Sequence, residues 1–249
     1  MKKILVGLST ILISNTLLAE NKIGLGIGVG VSNNIYKSED DTKAYPIPLL
    51  DIEYENFYLK ATTIGYRFYK NDTFMSSIYI DPLAGFSIEG NDMKIGYKNI
   101  DDRDLQAMVG IRLDGDVGFY GIRTGLNAQF GEYGAEGRVG LYRVYTPNNR
   151  LTIIPGIHFR GFSQHYTDYY FGVTSEEANR NYNDNLKNEY EGDTAYSYGA
   201  LIALNYKVTE NISIDSFVGI EKFSSNISNS PIVEKDLEYK IGGGVKYFF

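Results

Sequence analysis

Apolar and polar residues alternate with a period of two along most of this chain, and the C-terminal segment shows the pattern with fewest interruptions. Leu237, Tyr239, Ile241, Val245, Tyr247 and Phe249 share one face, while Glu238, Lys240, Gly242, Gly244 and Lys246 share the other. Such a period requires a β-strand between two unlike surroundings. Ile23, Leu25, Ile27, Val29 and Val31 likewise oppose Gly24, Gly26, Gly28 and Gly30, and Leu151, Ile153, Ile157 and Phe159 oppose Thr152, His158 and Arg160. No amphipathic helix is patterned to cover the apolar faces, so they are predicted to meet lipid. Hydrocarbon offers an open sheet edge no hydrogen-bond partner, so the sheet must close on itself. The predicted class is all-β, a transmembrane antiparallel up-and-down β-barrel.

Eleven alternating runs can be read: 23–33, 43–54, 57–69, 73–86, 105–114, 117–130, 132–145, 150–161, 193–207, 211–223 and 236–249. Single-chain bacterial barrels have even strand numbers, short periplasmic turns and longer outer loops. The long connections 87–104, 162–192 and 224–235 fall on one side, and Asp114-Gly115-Asp116, Thr146-Pro147-Asn148-Asn149 and Thr209-Glu210-Asn211 on the other. Both ends must be periplasmic, which an odd count forbids. Splitting 57–69 into strands near 57–62 and 65–70, with a turn at Thr63-Ile64, gives twelve.

Composition narrows the class further. The 249 residues include 22 Tyr, 13 Phe and 27 Gly but no Trp or Cys. The missing cysteine removes lipoprotein attachment, disulfides and thiol chemistry together. Residues 1–19 read as a cleaved export signal, with Lys2 and Lys3 before a broken apolar stretch and Leu17-Leu18-Ala19 at its end, which leaves 20–249 as the barrel. Without Lys2 and Lys3 there are 22 basic against 31 acidic residues, a formal charge of −9. Nucleic acid is not an expected partner of such a surface.

Inward positions carry Arg112, Arg123, Glu136, Arg138, Arg160, Asp215, Glu221, Glu238, Lys240 and Lys246. Charges of both signs in a narrow interior are expected to pair across it and plug the lumen. The long connection 162–192 holds Tyr166, Tyr169, Tyr170, Tyr182 and Tyr190 among carboxylates. They are read either as an outer-loop binding patch or as a loop folding inward to cap the barrel. Ser163-Gln164-His165 offers a hydroxyl and an imidazole for a rim hydrolase, but in the reverse order to the His-x-Ser of barrel lipases and with no orienting carboxylate. His158 is read as a lumen packing residue. The glycine run at 24–30 lacks the spacing and following helix of a dinucleotide loop. No catalytic residue, metal site or cofactor is assigned.

The terminal Val245, Tyr247 and Phe249 resemble the C-terminal signal read by the outer-membrane barrel assembly machinery. Four further stretches carry a resemblance to the MipA/OmpV family, also called MltA-interacting proteins. These are Tyr45-Pro46-Ile47-Pro48, Tyr169-Tyr170-Phe171-Gly172-Val173 followed by Glu176, Glu177 and Ala178, Ser230-Pro231-Ile232-Val233, and the Tyr247-Phe248-Phe249 end. Phe171 departs from the family pattern, in which the Tyr pair runs directly into Gly-Val. The resemblance implies an outer-membrane barrel acting as a scaffold between a lytic transglycosylase and a peptidoglycan synthase, with small-solute porin and surface adhesin as alternatives.

Overall fold

A computed structural model describes residues 22–181 and 185–249. The export segment and Tyr182 lie outside the described residues. The strands are β1 (Lys22–Asn33), β2 (Thr42–Pro48), β3 (Asp51–Tyr54), β4 (Phe57–Lys60), β5 (Thr63–Lys70), β6 (Phe74–Ala84), β7 (Gln106–Asp116), β8 (Ile122–Gly131), β9 (Gly134–Arg143), β10 (Leu151–Phe162), β11 (Ala195–Lys207), β12 (Ile212–Phe223) and β13 (Leu237–Phe248). Each pairs antiparallel with its chain neighbour from β3 to β13, and β13 returns to β1. β2 and β3 both pair with β1 in one continuous register, Ile27 opposite Pro48 and Gly24 opposite Asp51. They are two parts of one wall strand, so the thirteen segments form a closed barrel of twelve strands.

Polarity follows the period-two reading. Ile27, Val29, Ile241 and Val245 are exposed on the outer surface, while Gly24, Gly26 and Gly28 face inward at the closing seam. There β1 and β13 approach so closely that a Cβ on Gly26 would lie 2.2 Å from the Val245 carbonyl oxygen and one on Gly28 2.6 Å from that of Gly243. The glycine run is a seam-packing device.

Two boundaries differ from expectation. The hairpin within 57–70 does form, but its turn is Ala61-Thr62, with Ala61 in a left-handed conformation (φ 51°), so β4 and β5 pair as Lys60 opposite Thr63. This register keeps Ile64, Tyr66 and Phe68 on the lipid side and Tyr58 and Arg67 inside. Residues 117–121, expected to begin a strand, form instead the periplasmic turn between β7 and β8. Gly118, Tyr120 and Gly121 take positive φ there, and the Gly118 N–H donates to the Asp116 carboxylate at 2.7 Å. Alternation does not report this, because the turn residues are themselves apolar.

Replacing Gly26 by Val should therefore cost about 2 kcal/mol or more, since the added atoms meet backbone that cannot yield. Gly161→Ala should be close to neutral, because a Cβ there meets nothing within 4 Å. Urea midpoints followed by the heat-modifiable gel shift of the folded barrel compare the two.

Candidate functional site

The outer connections build a lid. From 163–194 come α1 (Gln164–Phe171) and α2 (Ser175–Arg180), and from 224–236 comes α3 (Ser225–Ser228). The Ser163 hydroxyl caps α1, accepting from the Tyr166 N–H at 3.3 Å and from the Ala135 N–H on β9 at 2.9 Å. Thr174 and Glu177 form a reciprocal capping box on α2. Between these helices and the outer strand ends lies an apolar core in which Met93, Tyr166, Tyr170, Phe171, Ile227 and Ile232 are fully buried. Phe86 stands at its centre, edge-on to Tyr166, Tyr170, Phe171 and Phe223. Tyr133 and Tyr169 stack with ring centroids 3.6 Å apart.

Polar clasps hold the lid to its neighbours. The Glu177 carboxylate, besides its role in the capping box, accepts from Arg103 at 2.8 Å and from the Asp101 N–H at 2.8 Å. Arg103 also donates to the Gly172 carbonyl at 3.2 Å. The Tyr36 hydroxyl donates to the Tyr170 carbonyl at 3.0 Å, and the Ser230 hydroxyl to that of Phe171 at 2.5 Å. Residues from the connections 34–41, 85–105 and 224–236 thus all meet the segment around 170–177.

These positions correct the reading of the loop tyrosines. Tyr166 and Tyr170 are interior and present nothing to an external ligand, while Tyr169 and Tyr190 keep partial exposure. The inward-folded loop, the second of the two alternatives, describes the segment. The Ser163–His165 pair also dissolves, since the serine oxygen serves as a helix cap and His165 is exposed on α1.

Below the lid the inward charges form clusters, most of them along the wall. Arg160 grips Glu136 with two nitrogens, at 2.8 and 3.2 Å, and reaches Glu221 at 2.9 Å. Glu221 also accepts from the Ser197 hydroxyl at 2.6 Å and lies 3.7 Å from both His158 and Lys240. Lys240 approaches Glu238 at 3.4 Å, and Arg138 approaches Glu136 at 3.7 Å. This belt ties β9, β10, β11, β12 and β13 side by side. The ion pairs named here join positions on one strand or on strands one or two apart, so among the described residues these charges are paired along the wall, where inward groups are closer than on opposite walls.

A second cluster lies nearer the periplasm, where Lys246 approaches Asp215 at 3.2 Å and Asp51 at 3.5 Å. The glycines of β1 between them leave room for that reach. Beside it Glu53 binds Lys60 at 2.7 Å and Arg67 at 3.1 Å. Arg112 pairs with Asp114 on its own strand at 2.7 Å, and Arg123 on β8 lies opposite Tyr142 on β9. Sequence reasoning missed Glu53, Lys60 and Arg67, which the pairing of β3 with β4 and of β4 with β5 brings together. It missed the Arg103–Glu177 clasp as well, although Thr174-x-x-Glu177 is a legible capping box.

Two outcomes follow for the lid. Glu177→Ala leaves Arg103 buried without its partner, a change worth about 3 kcal/mol, so limited proteolysis of the folded barrel should cut within 163–194 about a hundredfold faster. The second concerns alkali. Burial pushes the Tyr169 phenol up to about 12 and those of Tyr36 and Tyr166 well above their usual value. A raised phenol favours the closed lid fully below pH about 10, and that contribution is lost as the pH rises through the folded value. Tyrosinate absorbance and protease sensitivity of the lid should therefore rise together between pH about 10 and about 12, not before.

A family model described as MltA-interacting protein MipA matches residues 25–249. The chain is 30% identical to the MltA-interacting protein of Escherichia coli (strain K12), over 93% of this chain and 92% of that one. It is 29% identical to a 24 kDa outer membrane protein of Pasteurella multocida (strain Pm70), over 95% and 94%. With outer membrane protein OmpV of Vibrio cholerae it shares 26% identity over the full length of both. Among solved structures, an outer membrane channel from Pseudomonas putida F1 aligns with a TM-score of 0.47 at 9% identity, over 96% of this chain and 100% of that one. The closed strand barrel and these relatives place the protein in the outer membrane, and the chain belongs to the MltA-interacting protein (MipA/OmpV) family.

Proposed function

We propose that this barrel is a plugged structural protein that positions peptidoglycan-remodelling enzymes at the inner surface of the outer membrane. The observation that carries this reading is the lid, whose fully buried core of Tyr166, Tyr170, Phe171 and Met93 closes the outer end. Beneath it the Arg160–Glu136–Glu221 belt lines one arc of the interior with paired charge. A solute would have to open the lid, a multi-kilocalorie arrangement, before it reached that belt. What remains for a function is the periplasmic rim. The name of the Escherichia coli relative supplies the partner class, a lytic transglycosylase of the MltA kind, and a peptidoglycan synthase is the second enzyme such a scaffold would hold. Recognition would fall to the periplasmic turns. Apolar groups exposed there include Phe119 and Tyr120, packed edge-to-face with ring centroids 4.3 Å apart.

Planar-bilayer recording of the refolded barrel should be silent, and a variant lacking 165–190 should give discrete conductance steps. In parallel, the detergent-solubilised barrel should retain a purified MltA-type transglycosylase on a column. Steps from the intact protein, or a transglycosylase that passes through unretained, would overturn the reading.

A further inference from the structure

A row of cations lines the periplasmic mouth of the barrel. Ser213 on β12 stands opposite Lys207 on β11 and opposite Lys246 on β13. The Lys207 N–H donates to the Arg150 carbonyl at 2.8 Å, which carries the β10–β11 ladder one pair beyond Leu151 and Tyr206. Tyr206, Ile214 and Tyr247 are exposed on the lipid face, so by alternation Lys207, Ser213 and Lys246 take the lumen side. Ile154 is buried inside, and Arg150, four residues before it, shares its side. Arg150, Lys207, Ser213 and Lys246 thus occupy one height on four adjacent strands.

Two features of this row make poor sense as architecture. The first is its charge. Like charges directly opposite one another destabilise a sheet, and elsewhere in the interior Arg160, Lys240, Lys60 and Arg67 each meet a carboxylate. Lys246 shares Asp215 and Asp51. Arg150 and Lys207 are exposed, and no carboxylate of the described residues, that of Glu210 in the adjacent turn included, reaches ion-pair distance of either. The second feature is Ser213. Its side chain lies between two of the cations, 1% exposed, and its hydroxyl is a buried oxygen without a hydrogen-bond partner. Such an orphan costs about 1–3 kcal/mol. The hydroxyl can donate, and its neighbours on both sides are ammonium groups that cannot accept. One bound anion would cure both faults, offering charge to the cations and an acceptor to the hydroxyl.

We propose that Arg150, Lys207 and Ser213, with Lys246 behind them, form an anion subsite that takes a carboxylate presented from the periplasm by the peptides of the cell wall. The planar fork of Arg150 matches a carboxylate in two bonds, and the exposed Arg150 and Lys207 meet an arriving chain first. The inward register turns the row away from the lipid headgroups around the wall. Only the source of the carboxylate rests on the scaffold reading, which places wall-modifying enzymes at this same rim.

Purified peptidoglycan sacculi, which carry free peptide carboxylates and no enzyme, are mixed with the barrel in non-ionic detergent, and the fraction that sediments with them is measured. The Arg150→Gln/Lys207→Gln double variant is expected to bind about tenfold more weakly than the parent, and Ser213→Ala about threefold. Lys98→Gln/Lys187→Gln, which removes the same charge from the outer connections, should bind as the parent does. Each variant is first shown to fold by its heat-modifiable migration, and Ser213→Ala serves if the double variant does not fold. Sacculi with amidated carboxylates should lose the parent to a similar degree, and an excess of phosphatidylglycerol vesicles should not displace it. A parent that does not sediment, or equal losses in the two double variants, would overturn the subsite. Undiminished binding to amidated sacculi would overturn the carboxylate, and displacement by the vesicles would assign the row to lipid headgroups instead. No transglycosylase is present, so failure here leaves its retention on the column, the test of the scaffold, standing.

Discussion

Hydrocarbon supplies no hydrogen-bond partner, so every backbone N–H and C=O in the membrane-spanning wall must be satisfied by the protein or removed. The pairing of β1 with β13 meets that demand at the seam, and the glycines there are its steric consequence. The same demand explains where the prolines lie. Pro46, Pro48 and Pro82 lie on the two edges above the short hairpin, where no ladder among the described residues joins β2 to β6 and a proline leaves no N–H to satisfy. Chain chemistry is thus fitted to backbone bookkeeping at the seam and above the hairpin.

Closure also creates an interior that must be filled. Here much of its wall is lined with charged side chains, each costly to desolvate alone. Glu136 and Glu221 flank Arg160, and neighbouring hydroxyl and ammonium groups take up remaining oxygens. Because these contacts run from strand to neighbouring strand, they stiffen an arc of the wall directly beneath the lid without needing opposite walls to meet. The lid adds a different element, an apolar core assembled by loops, of a kind usually found between secondary-structure layers of soluble domains. Glu177 joins three parts of it at once, as helix cap, as partner of Arg103 and as acceptor for the Asp101 backbone.

The wall was legible from the sequence because lipid and lumen impose opposite preferences at every second position. That rule also yielded twelve strands, once parity demanded a hairpin within 57–70. It failed where local backbone conformation decides the outcome. Ala61 and Tyr120 take left-handed φ values that neither residue type announces, so one turn was misplaced by two residues and another was taken for a strand. The lid was only half legible. The inward-folding loop was foreseeable as an alternative to an exposed patch, but which tyrosines are interior depends on contacts between segments as distant as 36 and 171. The continuity of β2 with β3 and the absence of a ladder above the hairpin depend on register across three strands, which alternation within any single strand does not encode.

The two ends of the barrel differ in construction. Outer connections form, among the described residues, three α-helices and a buried aromatic core over one mouth, whereas the periplasmic connections are two to seven residues long. Loops of that length cannot fold a binding domain of their own, so a partner on that side must read a rigid rim whose geometry is set by the strands. Rigid presentation lowers the ordering cost of association, which suits a scaffold that holds enzymes in place more than a receptor that must adapt to varied ligands. On this view the lid and the charge belt contribute to scaffolding indirectly. By locking the barrel's cross-section they fix the spacing of the turns that a periplasmic enzyme would touch.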